Sequence, residues 1–210
     1  MTRRQLLSLI VLVILGASVA QILKNNRQLG RNLAGSSTVT EILTRPGSPE
    51  TVRGKGDVTV VMFTDYQCAA CRMASPHLRR AIEHDGNVRV IYKEWPIFGD
   101  RSKRAAAVAL ASDRQGIYRL VHHHLMQSPS FNEAALRDAV EAAGGSWQQV
   151  EDDLRTHGSA ISEQISVNRM DALNLGLQGT PAFLIGSSLV QGALTDREFL
   201  KAFDQARSRP

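Results

Sequence analysis

Residues Phe63 to Pro76 read FTDYQCAACRMASP, and this stretch holds both cysteines of a 210-residue chain, two residues apart. Three chemistries place two cysteines so close. A structural disulfide across so small a loop removes little entropy from the unfolded chain and is strained, hence easily reduced. A zinc half-site needs four ligands in a structural site, and the chain has no further cysteine. His122, His123 and His124 form its one histidine run. Three consecutive helical residues point in different directions, so at most one or two reach a common metal. They read as an exposed helix face. A redox dithiol suits the setting best. Cys68 falls between a strand and a helix, where free N–H groups and the helix dipole favour a thiolate. Cys71 follows one turn later, placed to attack a mixed disulfide on Cys68.

Working outward, Val58–Phe63 (VTVVMF) is a β-branched apolar run of buried-strand length. From Ala69 to about Glu83 the pattern is helical, with Met73, Leu78 and Ile82 apolar. Asp85-Gly86-Asn87 is a turn, and Val88–Tyr92 a second strand. Strand, helix and strand in this order imply a parallel pair with a right-handed crossover. Trp95-Pro96 ends the unit. Only helical patterns follow, from about 101 to 175, with Asn132 as a helix cap and Gly176 as a stop. Gly179-Thr180-Pro181 leads into the strand Ala182–Ile185, and Leu189-Val190-Gln191 pairs back on it as a hairpin. Thr195 to Glu198 is a capping box that opens a last helix, with Phe199, Leu200 and Phe203 facing the core. The order predicts an α/β fold, a mixed sheet with helices on both faces and an inserted helical subdomain.

The ends and the bulk composition set the context. Arg3 and Arg4 precede an uncharged apolar run, Leu6–Leu23, and the first later charge is Lys24. The run reads either as a signal peptide with a small-residue site at Ser18-Val19-Ala20, or as an uncleaved anchor. Eighteen helical residues rise about 27 Å, close to the roughly 30 Å hydrocarbon core. Both readings place the rest of the chain outside the cytoplasm, which suits disulfide chemistry. Residues 24–56 are polar and rich in Gly, Ser and Pro; they read as a tether with one short helix near Thr38–Leu43. The folded domain is then 57–208. The net charge is +5 and 43% of residues are hydrophobic. Lys and Arg are scattered, with no basic run interleaved with aromatics, so nucleic acid is not an expected partner.

FTDYQCAAC, Pro76 five residues after the second cysteine, KEWPIFG before the helical insert and GTPAFLIG downstream together resemble the thioredoxin superfamily. Within it the chain resembles the DsbA-type thiol–disulfide oxidoreductases, over about residues 50–208. The resemblance implies a thioredoxin fold in which Pro181 is a cis-proline facing the Cys68–Cys71 pair. It also implies that the Thr180 backbone pairs with a bound substrate strand. Cys68 would be the nucleophile, Cys71 the resolving cysteine, and the Cys68–Cys71 disulfide the redox group, with no metal, flavin or nucleotide. Substrates would be unfolded or folding secreted proteins, and a membrane redox partner would exchange electrons with the pair. Introduction of disulfides is the expected direction. Isomerisation and reduction use the same residues, and copper binding by the dithiol is a different class of reading. Pro76 is expected to kink the active-site helix. Two departures stand out. Both residues between the cysteines are alanine, which suggests a less extreme Cys68 thiolate. Met62 stands six before Cys68, where many relatives bury an acid; Asp65 and Glu94 are the nearest acidic residues, read as solvated loop carboxylates.

Overall fold

The structure, a computed structural model, describes residues 29–208. The apolar run Leu6–Leu23 lies outside them. Among the described residues no helix is long and apolar enough to cross a membrane. The central strands are β3, Val58–Thr64, and β4, Val88–Glu94, joined by helix α2, Ala69–Asp85. They pair in parallel from Val58↔Val88 to Thr64↔Glu94. Five of the first six residues of β3 are apolar, as are Val88, Val90, Ile91 and Tyr92 of β4, because both faces are covered. Val60 and Met62 face α2 with Leu78 and Ala81, while Val61 and Phe63 face a second core with Ile42, Trp95 and Leu175.

β5, Ala182–Ile185, lies antiparallel against β3, and β6, Ser188–Gln191, continues the meander. Helix α7, Asp196–Ser208, packs beside α2, and its Phe199 meets Phe183 edge-on at 4.9 Å. Between β4 and β5 run four α-helices, α3 (Asp100–Ser112), α4 (Tyr118–Gln127), α5 (Glu133–Ala142) and α6 (Trp147–Asn174), with a short 3-10 turn, Asp113–Gln115, after α3. Asn132 caps α5 through the Ala135 N–H at 2.9 Å, and Gly176 follows α6 at φ 72°. α2 runs through Pro76 to Gly86. Pro76 brings no N–H to the Arg72 carbonyl one turn earlier.

The stretch 24–56 departs from the expected tether where it is described. β1, Arg31–Asn32, pairs with β6; α1 is Ser37–Thr44; β2, Glu50–Val52, pairs with β4. The six-stranded order is β1-β6-β5-β3-β4-β2. Val39 and Ile42 of α1 are buried, each worth about 1.5–3 kcal/mol. Arg45 reaches Asp171 of α6 at 2.5 Å, and Asp171 also faces the buried Lys93 at 3.2 Å. The edge strands have only two and three residues, largely exposed, so backbone pairing forms them where no apolar alternation announces them.

Candidate active site

β3 ends at Thr64, and the next three residues turn the chain so that Cys68 becomes the N-cap of α2. Its sulfur accepts the Cys71 N–H at 3.4 Å. An N-cap side chain accepting the N–H three residues on is ordinary capping. Here the acceptor is sulfur, so the unpaired N–H groups and dipole of the helix favour the thiolate. The Cys68 thiol is lowered from 9.0 to about 5. Hydrogen bonding from Cys71 is the main cause; the Thr180 hydroxyl and the Cys71 and Ala70 N–H groups add to it, and partial burial opposes. That value lies above the roughly 3.5 of the most acidic cysteines of this chemistry. Cys71 moves the other way: its bond to the Cys68 sulfur and its burial hold its proton. Both are free thiols in this structure.

The other half of the site comes from the far end of the chain. Phe63 pairs with Ala182, so Thr180 and Pro181 arrive opposite the loop that follows β3. The Thr180–Pro181 peptide is cis, and the Thr180 carbonyl oxygen lies 3.2 Å from Cys68 Sγ, which donates to it while protonated. The buried Thr180 hydroxyl has no hydrogen-bond partner among the described residues, yet favours ionisation of both sulfurs. All four site residues singled out in the sequence therefore meet at one point, with Met62 buried in the same core as the cysteines.

The two acids are not solvated. Asp65 is buried and accepts four hydrogen bonds: Gln67 N–H (2.8 Å), Ser102 hydroxyl (2.7 Å), Ile97 N–H (2.7 Å) and Phe98 N–H (3.2 Å). It fastens the β4–α3 loop to the active-site loop. The Gln67 amide adds bonds to the Phe98 carbonyl and Ser102. The side chains this loop presents are apolar and open, Ile97 at 41% and Phe98 at 54% exposure. Met73, expected on the apolar side of α2, is 61% exposed.

Glu94 is fully buried, with Tyr66 and Tyr118 both donating to its Oε1 at 2.5 Å and, among the described residues, no partner on Oε2. Burial pushes its carboxyl from 4.5 up to about 8, against the pull of the two phenols. His122, expected on an exposed face, is buried as well. Its Nδ1 lies 3.1 Å from the Tyr66 hydroxyl, and burial lowers its pKa to about 3, so it is neutral. Tyr118 and His122 sit four residues apart on α4 and stack, which puts them on one helix face. That spacing, with Tyr66 two residues before Cys68, was the available sequence signal for this cluster. No pattern said that the face was turned inward.

A dithiol at the N-terminus of a helix, opposite a cis-proline on a mixed sheet with a helical insertion, defines a thioredoxin-fold thiol–disulfide exchange enzyme. The DSBA-like thioredoxin domain family matches residues 59–204, and the chain belongs to that family. A thioredoxin-like oxidoreductase from Silicibacter pomeroyi DSS-3 superposes with a TM-score of 0.76 at 33% identity, covering 81% of this chain and 98% of that one. A probable disulfide bond formation protein D from Bacillus anthracis is 25% identical over 198 residues, 87% of this chain and 85% of that protein. A Na(+)/H(+) antiporter NhaA 1 from Mycolicibacterium gilvum is 24% identical over 173 residues, but the chain spans only 28% of its length.

Proposed function

We propose that the protein introduces disulfides into unfolded or folding proteins outside the cytoplasm, through the pair Cys68–Cys71. The observation that carries this reading is the Cys68 sulfur at the helix N-cap, with its pKa lowered to about 5 while Cys71 keeps its proton. A stabilised thiolate stabilises the reduced enzyme, so the oxidised enzyme gives its disulfide away readily. A substrate thiolate attacks Cys68 Sγ; the Cys68–Cys71 bond breaks, and Cys71 leaves and takes a proton. A second substrate thiolate then attacks the substrate sulfur of the mixed disulfide, releasing Cys68 as thiolate. The substrate has lost two electrons and the enzyme has gained them. A membrane redox partner would remove them.

Substrate docking would use Thr180, Pro181 and the open apolar groups around the pair. The Thr180 N–H has no partner among the described residues, which leaves it for an extended substrate chain. Phe98 and Ile97, in the loop fastened to the active-site loop through Gln67 and Asp65, are exposed apolar side chains, as is Met73 of α2. The extracytoplasmic location rests on the apolar run Leu6–Leu23, as a signal or an anchor. The test is the reduction potential of Cys68–Cys71 in glutathione buffers. A value toward about −120 mV supports a disulfide donor; a value near about −270 mV refutes it in favour of a reductase.

A further inference from the structure

Between α2, α4 and the β2–β4 edge of the sheet lies a cleft of about 560 Å³. Small-molecule sites span roughly 300–1,000 Å³. None of Cys68, Cys71, Thr180 and Pro181 lines it, so it is separate from the redox pair. Its walls carry Ile82 of α2, Tyr92 of β4, Val52 of β2 and Leu120 of α4. Val52 is 57% and Leu120 39% exposed, so apolar surface stays wet where both line one opening. The charge of the cleft is one-sided. Arg53, Arg79 and Arg119 line it against a single carboxylate, Glu83, which pairs with Arg79 at 2.9 Å. Arg53 and Arg119 form no ion pair among the described residues.

This combination selects a ligand class. A small inorganic anion would satisfy the guanidiniums and leave Val52 and Leu120 in water. A neutral apolar molecule would cover those side chains and make no use of Arg53 and Arg119, whose guanidiniums are exposed and open to an anion. Only a ligand with both parts matches both features. We infer that this cleft binds an amphiphile with an apolar chain and an acidic head, its chain along Val52, Tyr92 and Leu120 and its head at Arg53 and Arg119. A free long-chain carboxylate and an anionic membrane lipid share this chemistry. The site stands whichever way the redox pair transfers electrons, and its test does not involve turnover.

The test uses the full chain carried in phosphatidylcholine nanodiscs, titrated with laurate. The readout is the ¹³C-methyl resonance of Met62, which lines the cleft. The expected result is a saturable shift, with binding weakened at least ten-fold in Arg53→Glu/Arg119→Glu. A control, Arg155→Glu/Arg197→Glu, makes the same charge change at two exposed residues that do not line the cleft, and should bind as wild type. In a second series phosphatidylglycerol replaces part of the disc lipid. A Met62 shift there without laurate identifies the membrane as the source, and a shift with laurate alone identifies the free acid. Should the double variant lose its native near-UV spectrum, Leu120→Glu, on the exposed wall, takes its place and must weaken binding too. A Met62 signal unmoved by either probe overturns the inference. Equal affinity in the Arg53→Glu/Arg119→Glu variant and the control overturns it as well.

Discussion

The thiolate at the helix N-cap should make the reduced protein gain stability over the oxidised protein as pH rises. In the folded reduced chain Cys68 ionises at about 5, against 9.0 for an unperturbed thiol. Below both values the thiol is protonated in the folded and unfolded chains, and nothing is gained. Between them the unfolded chain holds one proton more, so folding stability rises with pH by about 1.36 kcal/mol per pH step. At pH 7 the sum reaches at most about 2.7 kcal/mol. Cys68 is buried and its ionisation is tied to that of Cys71, so part of this belongs to the pair, and about 1–2 kcal/mol is the expected gain. Cys71 is silent below about pH 8, because its raised pKa leaves it protonated in both states. Glu94 titrates across the same range, but the two redox forms share it, so it cancels in their difference. The assay is urea unfolding of reduced and oxidised protein at about pH 5, 6, 7 and 8, with the difference in unfolding free energy plotted against pH. The disulfide sets the offset of that plot and Cys68 sets its slope. A flat line would refute the reasoning, since it would mean that the fold does not favour the thiolate.

Three further outcomes follow from the same site. Glu94 has the opposite sign: its carboxyl is raised from 4.5 to about 8, so its share of stability is whole below pH 4.5 and is lost as pH climbs to about 8. Oxidised protein should lose roughly 3–5 kcal/mol over that range, and Glu94→Gln should flatten the loss, as urea unfolding would show. Thr180→Val removes a hydroxyl that favours the thiolate and should raise the Cys68 pKa, read from the ultraviolet absorbance of the thiolate; an unchanged titration would remove Thr180 from the electrostatics of the pair. Asp65→Ala strips four donors of their acceptor and should cost about 2–4 kcal/mol. Amide exchange at Ile97 and Phe98 should quicken with it, and protection as in wild type would show that the loop is held by something else.

The chain order of strands and helices was legible because each core element carries a local signal. Val58–Phe63 is apolar but for Thr59 because β3 is covered on both faces, and Gly86 and Gly176 end helices at positive φ. β4 runs two residues past the expected Tyr92, through Lys93 and Glu94, which no apolar pattern favours. Parallel pairing with β3 holds them in place: Phe63↔Lys93 and Thr64↔Glu94 continue the ladder. The edge strands β1 and β2 were illegible for the same kind of reason. β1 is polar and exposed, the one apolar residue of β2, Val52, is exposed too, and the neighbouring strand supplies what their own sequence does not.

Spacing along the chain by itself determined that Cys68 and Cys71 form one unit, because two cysteines a helical turn apart at a strand–helix junction meet wherever that junction folds. It did not determine what surrounds them. Thr180 lies 112 residues from Cys68, and only the β3–β5 register brings its carbonyl to the sulfur. Asp65 and Glu94 read as loop acids because charged groups near turns are usually solvated. The helical insert closes over them, and Ser102, Tyr118 and the Ile97 and Phe98 N–H groups supply the hydrogen bonds that let a carboxyl stay dry. Burial is a property of what packs on a residue, and here the packing partners come from helices whose own sequence says only that one face is apolar. Which acid is held by N–H groups and which is held by phenols was therefore decided by tertiary structure alone.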